Sequence, residues 1–149
     1  MNAGELPSDV HAARFPVSVK GVLEIGGRVV LLRNEREEWE LPGGKLEPGE
    51  DPARCVEREI LEELGLHAKA RSLIDVWLYD VLGKVEVLVV TFAMFPLDAG
   101  AQPRLSHEHK ALALFAHDEV PALRMPDGYK RAIAAFRSAT AVSRGEGSA

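Results

Sequence analysis

Hydrophobic and polar residues alternate with a period of two near the start of the chain, as they do in half-buried β-strands. Val17 to Ile25 is such a run. Arg28 to Arg33 is the next strand-like segment, with four apolar residues in a row from Val29 to Leu32, and only Gly26 and Gly27 separate the two segments. Two glycines between strand-like runs favour the backbone of a tight hairpin turn. The pattern therefore predicts a β-hairpin over residues 17–33, followed by a charged loop over residues 34–38.

The second half of the chain carries three further strand-like runs. Ala68 to Val81 is followed by a turn at Gly83, and Val85 to Phe95 comes next. The valines of this run suit a strand that is buried on both faces of a sheet. After a loop over residues 98–103, Lys110 to Ala116 could form a last strand.

Two segments show helical signals instead. Asp51 and Pro52 suit the N-cap and the first helical position, and Gly65 suits the residue after the last turn, so a helix is predicted from Pro52 to Leu64. A second, amphipathic helix begins at Pro126 or Asp127. Its apolar positions are Tyr129, Ile133, Ala134, Phe136 and Ala141. Strands with one helix in the middle and one at the end indicate an α+β layered fold with a mixed sheet.

Length and composition are those of one globular domain. The 149 residues are 46% hydrophobic and 28% charged, which is enough apolar material for a single core. We expect one domain over residues 1–149, with a loose N-terminal arm at 1–15 and a flexible tail at 143–149. Cys55 is the only cysteine, so no internal disulfide can form, and a small side chain there suits close helix packing.

The charge balance argues against several kinds of partner. The net charge is −5 and lysine and arginine are not clustered, so a nucleic-acid-binding groove is not expected. The N-terminal stretch lacks a basic start followed by a long apolar segment, and the apolar runs are short and interrupted by charges. We therefore expect a cytoplasmic protein that binds neither nucleic acid nor membranes.

Three carboxylates lie close together on the predicted central helix. Glu59, Glu62 and Glu63 stand at i, i+3 and i+4 and crowd one face, beside an apolar stripe that includes Val56 and Ile60. Like charges at this spacing destabilise a helix unless something offsets them. Mg²⁺, or Mn²⁺ as a substitute, takes oxygen ligands and commonly bridges carboxylates to a substrate phosphate. The alternative is an ordinary solvated acidic face.

The segment GKLEPGEDPARCVEREILEELGL, from Gly44 to Leu66, sets these carboxylates in a fixed frame. The positions of the frame are Gly44, Glu50, Arg58, Glu59, Ile60, Glu62, Glu63, Gly65 and Leu66. Gly43 and Gly44 also let the backbone approach a ligand closely, so a carbonyl there could join a metal shell. The spacing resembles the signature of the Nudix hydrolase family.

The resemblance implies roles for the residues of the frame. The backbone carbonyl of Gly44 and the carboxylates of Glu59, Glu62 and Glu63 would bind the metal. Arg58 would orient the carboxylates through charge-assisted hydrogen bonds, Glu50 would be part of that network, and Glu47 is an optional further member.

The resemblance also implies a fold and a reaction. The fold is an α/β/α sandwich around a mixed β-sheet, with the motif helix on one face and the terminal helix on the other. The reaction is metal-dependent attack of water on the diphosphate linkage of a nucleoside diphosphate derivative, which could be a nucleoside triphosphate, ADP-ribose or a nucleotide-sugar. Glu62 is the first candidate for the general base, and Glu108 in a polar loop is the second. Arg33 and Lys45 are candidate substrate-binding residues, and a homodimer is one possible assembly.

Other chemistries have weaker support. His107 and His109 flank Glu108, but no third histidine or cysteine is spaced to complete a zinc site, and a loop is the simpler interpretation. Three aromatic residues on the predicted strands could sandwich a nucleobase but are more typical of a core: Trp77, Tyr79 and Phe92. Two other functions stay open: a non-catalytic nucleotide-sensing module, whose carboxylates would be eroded, and an isomerase, which would need a cysteine facing an apolar pocket.

Overall fold

Strands and helices fill most of the chain that the computed structural model describes, which is residues 12–107 and 109–143. The strands are β1 (Val17–Val22), β2 (Glu24–Ile25), β3 (Arg28–Arg33), β4 (Trp39–Glu40), β5 (Gly43–Lys45), β6 (Ala68–Val81), β7 (Val85–Pro96) and β8 (Ala111–Phe115). The helices are α1 (Pro52–Leu64) and α2 (Asp127–Ser143), and a 3₁₀ helix spans His117–Ala122.

The strands form two sheets. In the first, the order is β5-β1-β7-β6. The central strands β1 and β7 run parallel, with Val19 opposite Val90, whereas β5 and β6 join their neighbours in antiparallel register. In the second sheet β3 is central, because Val29 lies between Glu24 of β2 and Phe115 of β8, and β4 pairs with the other end of β3. The mixed sheet that the sequence predicts is confirmed.

Each helix covers its own apolar cluster. Under α1, residues such as Val56 and Ile60 pack with Val19 of β1. Under α2, Tyr129 and Phe136 belong to a second cluster that also includes residues of β1, β3 and β7. Burying a side chain of this size contributes about 1.5–3 kcal/mol, so the strands are stabilised from both sides. The arrangement is the α/β/α sandwich that the sequence resemblance implies.

The boundaries of α1 follow from local chemistry. The Asp51 carboxylate accepts a hydrogen bond from the Arg54 N–H at 3.4 Å, and Pro52 occupies the first turn, where no donor is needed. Gly65 has a φ of 68°, a left-handed conformation that favours glycine, and its N–H donates to the Leu61 carbonyl at 2.9 Å. The predicted helix from Pro52 to Leu64 is confirmed at both ends.

Some details of the predicted pattern are wrong. The first strand is interrupted at Leu23, which is fully buried and whose carbonyl accepts from the Val30 N–H. The strand β7 is not buried on both faces throughout, since Val85 beside the hairpin turn is 44% exposed. Ala134 faces solvent, and Ala132 is buried in its place because it lies three and four residues from Tyr129 and Phe136 on the buried face of α2.

The predicted arm and tail fall mostly on residues 1–11 and 144–149, which lie outside the described residues. Ser143, predicted to be in the tail, still belongs to α2. Gly43 and Gly44 lie in the short strand β5 rather than in a free loop. Among the described residues, we find no helix with the length and apolar character needed to cross a bilayer.

Candidate functional site

Arg58 lies at the centre of the acidic cluster on α1. Its Nε and Nη2 donate to the two carboxylate oxygens of Glu50 at 2.7 and 3.1 Å, the bidentate geometry that a guanidinium group favours. Its Nη1 donates to Glu59 at 3.0 Å and to Glu62 at 3.3 Å. The hydrogen bonds from Arg58 lower the pKa of Glu50 to about 2. Arg58 therefore orients three carboxylates, while Glu47 lies at its edge, 3.9 Å away.

Glu63 does not share the exposed face of this cluster. It is 4% exposed, whereas the side chain of Glu62 is 58% exposed. At about 100° per residue, Glu63 lies only about 20° around the helix from Val56, and Glu62 lies about 120° away. The predicted single acidic face is therefore split, and Glu63 points into the protein.

Two opposing effects act on the buried Glu63 carboxyl. The Gly43 N–H donates to its Oε1 at 2.8 Å, and Lys20 supplies positive charge. Burial nevertheless raises the pKa of Glu63 to about 7. The carboxylate form is thus only partly compensated by the protein, and added positive charge would favour it.

The two glycines of β5 allow strands and helix to approach closely. A Cβ atom at position 44 would overlap the Glu59 carboxylate, with Glu59 Oε1 only 2.6 Å away. Gly43 has a φ of +143°, and a Cβ atom there would overlap the Val19 carbonyl oxygen. Burial raises the pKa of Glu59, although Arg58 opposes the shift. The Gly44 backbone and the Glu59 carboxylate are therefore direct neighbours.

His109 connects α1 to β4. Its Nε2 lies 3.0 Å from Glu40 Oε1, and its Nδ1 lies 3.5 Å from Glu63 Oε2. The hydrogen bond to Glu40 raises the pKa of His109 even though burial opposes it. Burial would raise the pKa of Glu40, but His109 and Lys20 lower it to about 2. His109 lies in a loop, as the sequence predicts, but its side chain points inward and belongs to a buried polar network.

Lys20 is a second buried charge that the sequence pattern did not single out. It is 7% exposed and lies opposite Gly43 in the pairing of β1 with β5. Burial acts to lower the pKa of Lys20, but Tyr129, Glu40 and Glu63 outweigh it and raise the pKa. The lysine therefore stays a cation beside the carboxylates of the network.

A cavity of about 180 Å³ opens beside this network. Lys20 and Glu40 line it together with Lys45, and Tyr79 and Tyr129 add aromatic walls. Pockets that enclose a whole drug-sized ligand measure roughly 300–1,000 Å³, so this cavity has room for one part of a larger molecule. A larger hollow of about 490 Å³ lies between the 3₁₀ helix and α2, but its lining includes no residue of the 44–66 frame.

The aromatic residues divide between core and cavity. Trp77 stacks on Tyr79 with ring centroids 5.1 Å apart and meets Tyr129 edge-on at 5.3 Å. Phe92 packs against the cluster under α1. The core interpretation is confirmed for Trp77 and Phe92, and Tyr79 alone of the three also lines the cavity.

The other predicted residues are dispersed. Lys45 lines the cavity, but Arg33 is not among its lining residues: its Nε lies 3.4 Å from Glu37, and its guanidinium lies over the Trp39 ring. Cys55 is fully buried in α1, which confirms its packing role, and burial raises the pKa of its thiol to about 12. Glu108 lies outside the described residues.

The donor set suits a hard divalent cation, because Glu59, Glu62 and Glu63 offer only oxygen and the Gly44 backbone adjoins Glu59. Within residues 12–107 and 109–143, however, no group of three His, Cys, Asp or Glu side chains is arranged to hold a metal ion. Arg58 engages two of these carboxylates, and Gly43 with His109 engages the third. Metal binding would therefore have to compete with Arg58 for Glu59 and Glu62.

Known proteins share both the sequence and the fold of this chain. The model of the NUDIX domain matches residues 14–136. A MutT-like protein from Streptomyces ambofaciens is 35% identical over 106 residues, which cover 70% of this chain and 66% of that protein. The CTP pyrophosphohydrolase of Escherichia coli K12 is 28% identical over 113 residues, which cover 72% of this chain and 79% of that protein.

The structural comparison agrees with the sequence match. The crystal structure of a MutT protein from Methanosarcina mazei Go1 has a TM-score of 0.73 and 21% identity, and the match covers 87% of this chain and 97% of that one. The chain spans 66% of the length of the Streptomyces relative and 25% to 46% of three other curated relatives. Since the domain model matches well over half of the chain, including the whole 44–66 frame, the chain belongs to the Nudix family.

Proposed function

We propose that this protein is a metal-dependent Nudix pyrophosphohydrolase that cleaves the diphosphate linkage of a nucleoside diphosphate derivative. The observation that carries the proposal is that His109 links Glu63 of α1 to Glu40, which lines a cavity together with Lys20 and Lys45. Acidic groups can bind a cation, and basic groups beside them can bind phosphate oxygens. A diphosphate with its metal needs both.

Each residue of the network has a role in this proposal. The Gly44 carbonyl and the carboxylates of Glu59, Glu62 and Glu63 would hold Mg²⁺, for which Mn²⁺ could substitute. A bound divalent cation would lower the pKa of water and neutralise charge on the phosphoryl oxygens. Arg58 acts as a positioning residue, because its hydrogen bonds keep Glu50, Glu59 and Glu62 in one arrangement.

Glu62 is our first choice for the general base. Its side chain is 58% exposed, so water can reach it, whereas Glu63 is buried and hydrogen-bonded to Gly43. A base must lie within hydrogen-bond reach of the water whose proton it takes, and the exposed carboxylate meets that need more readily. Glu108 is the second candidate for the general base, and the activity of the Glu108→Gln variant distinguishes the two.

The substrate is a nucleotide whose base or other ring enters the 180 Å³ cavity against Tyr79. The names of relatives include a CTP pyrophosphohydrolase, an ADP-ribose pyrophosphatase and an 8-oxo-dGDP phosphatase. Nucleoside triphosphates, ADP-ribose and nucleotide-sugars are therefore the compounds to compare. Lys45 is a proposed phosphate ligand. The substrate-binding role of Arg33 stays a prediction, and the cytoplasmic location and the homodimer stay predictions as well.

The test is a panel of these nucleotides incubated with Mg²⁺ or with a chelator and scored for released phosphate or nucleoside monophosphate. Glu62→Gln and Glu63→Gln should lower kcat by orders of magnitude, because each removes a negative charge without changing shape. Glu57→Gln is the matched control on the same helix, since Glu57 pairs with Arg54 outside the cluster. Normal turnover by both site variants would refute the assignment.

The identity of the base requires a separate experiment. Glu108→Gln should leave most activity intact if Glu62 is the base, and it should be as damaging as Glu62→Gln if the loop carboxylate takes the proton. The second proposed function, a nucleotide sensor without turnover, predicts that the panel binds but releases no product. Every carboxylate of the frame is present, which favours the enzyme.

A further inference from the structure

His109 spans the gap between a buried carboxylate, Glu63, and a partly buried one, Glu40, which come from different elements. Its Nε2 lies 3.0 Å from Glu40 on β4, and its Nδ1 lies 3.5 Å from Glu63 on α1. The imidazole is only 11% exposed, and Glu63 is 4% exposed. The imidazole is therefore enclosed between two acids, although His109 itself lies in a loop.

The orientation of the imidazole ring follows from its stronger partner. Glu40 has a pKa of about 2 and is ionised, so it can only accept hydrogen bonds, and Nε2 must carry the hydrogen that it receives. Asn34 Nδ2 donates to the other Glu40 oxygen at 3.2 Å. With Glu40 held on both sides, Nδ1 faces Glu63 Oε2 and has no hydrogen-bond partner of its own.

The contacts leave Glu63 with free binding capacity. Gly43 N–H occupies one position on Oε1 and His109 lies against Oε2. A carboxylate has about four lone-pair sites, so one site on Oε1 and both sites on Oε2 stay open. The hydrogen bond from Gly43 holds Oε1, and the imidazole 3.5 Å from Oε2 limits rotation of the group, so the two contacts orient the carboxylate without blocking it.

We propose that His109 is a positioning residue, which with Glu40 fixes the Glu63 carboxylate in the orientation that binds the divalent cation. The inference rests on the proposed function, in which Glu63 is a metal ligand. The groups that surround a metal ligand commonly set its orientation, and their loss typically lowers metal affinity about 10- to 100-fold.

A role in merely anchoring the loop does not account for this placement. The loop is already anchored by three contacts that do not involve the imidazole. Arg104 N–H donates to the Leu64 carbonyl at 2.8 Å, Lys110 N–H donates to the Arg33 carbonyl at 3.1 Å, and Lys110 Nζ donates to Glu37 at 2.6 Å. Replacing the imidazole therefore removes the contact with Glu63 while these anchors persist.

The experiment measures the affinity of the full-length protein for Mn²⁺ alone, by electron paramagnetic resonance or calorimetry. His109→Gln keeps a polar atom near the position of Nε2, and His109→Asn keeps one near Nδ1, so each variant retains only one end of the bridge. Both should bind Mn²⁺ about 10- to 100-fold more weakly than the wild type. His107→Ala, an exposed histidine two residues away, is the control and should bind normally.

A double-mutant cycle separates positioning from simple stabilisation. Glu40→Gln should weaken Mn²⁺ binding as His109→Gln does, and the two changes together should weaken it little further, because either one breaks the same bridge. Additive losses of Mn²⁺ affinity would contradict the inference. Thermal unfolding of each variant checks that the fold persists.

Glu63→Gln tests the proposed role of Glu63 as a metal ligand separately from the positioning role of His109. If this variant loses Mn²⁺ affinity while both His109 variants bind normally, the proposed function stands and the positioning role is wrong. If Glu63→Gln binds Mn²⁺ like the wild type, the ligand assignment of the proposed function is wrong. Weakened binding in Glu63→Gln and in both His109 variants is the result that we expect.

Discussion

Replacing Glu63 by glutamine should make the metal-free protein more stable. The change removes an ionisable carboxyl from a site that is 4% exposed, and it keeps the shape of the side chain. The amide oxygen can still accept from the Gly43 N–H, and the amide nitrogen can donate to His109 Nδ1, which has no hydrogen-bond partner in the wild type.

The size of the effect follows from the raised pKa. Burial raises the pKa of Glu63 from the ordinary 4.5 to about 7. At about 1.4 kcal/mol for each pH unit between these values, ionising the buried carboxyl costs about 3 kcal/mol of the free energy of unfolding. The folded protein keeps this proton up to about pH 7, whereas the unfolded chain releases it near 4.5. Wild-type stability should therefore fall, relative to the variant, as the pH rises through this window.

The assay is urea denaturation followed by circular dichroism, with a chelator present, at several values from about pH 4.5 to pH 8. We expect Glu63→Gln and the wild type to be nearly equal at the acid end and the variant to be more stable by about 3 kcal/mol at the alkaline end. Glu62→Gln is the control, because it replaces a carboxyl on the same helix whose side chain is exposed to water. A stability difference that stays constant across this pH range would refute the reasoning.

Three further predictions concern neighbouring residues. Asp51→Ala removes the acceptor for the Arg54 N–H and should lower the free energy of unfolding by about 1 kcal/mol in urea denaturation. An unchanged midpoint of the urea transition would contradict the role of Asp51 as a helix cap. Gly44→Ala places a methyl group against the Glu59 carboxylate. Because a shift of a catalytic group by about 1 Å can cost about 100-fold in rate, kcat should fall about 100-fold in steady-state assays. Tyr79→Leu should raise KM for nucleotides about tenfold with little change in kcat, because stacking on an aromatic ring contributes about 1–3 kcal/mol per base; Tyr79→Phe should retain a normal KM.

Local signals in the sequence were enough to predict the limits of α1 and the first hairpin turn. Asp51, Pro52 and Gly65 act on backbone groups within four residues of themselves, so the limits of α1 could be predicted without knowledge of the rest of the fold. The hairpin turn at Gly26 and Gly27 follows in the same way, since both glycines have positive φ.

The buried network could not be predicted from local patterns. Glu40 and His109 are 69 positions apart, and nothing in their neighbourhoods indicates that they meet. Lys20 alternates with apolar residues as a surface residue would, yet the fold buries it beside Tyr129 of α2 and close to the carboxylates of Glu40 and Glu63. The inward position of Glu63 was predictable, however, because the helical period places it beside Val56.

The resemblance of one short frame to the Nudix signature predicted the family, the fold and the acidic site, whereas composition indicated only a single globular domain. Its residues assemble around Arg58, as a shared site requires. Apart from Lys45, the walls of the cavity come from elements outside the frame, such as Tyr79 in β6 and Tyr129 in α2, so the frame could not predict its shape. The substrate is therefore the part of the function that the frame leaves open.

The central claim is that the carboxylates of α1 bind a divalent cation together with a nucleotide. The most direct measurement is an anomalous difference map from crystals grown with Mn²⁺ and a non-hydrolysable nucleotide analogue. We predict a peak bonded to Glu59 and Glu63 and adjacent to the phosphates of the analogue, at roughly 2.0–2.3 Å from the carboxylate oxygens. A map with phosphates bound in the cavity and no peak at these carboxylates would contradict the account.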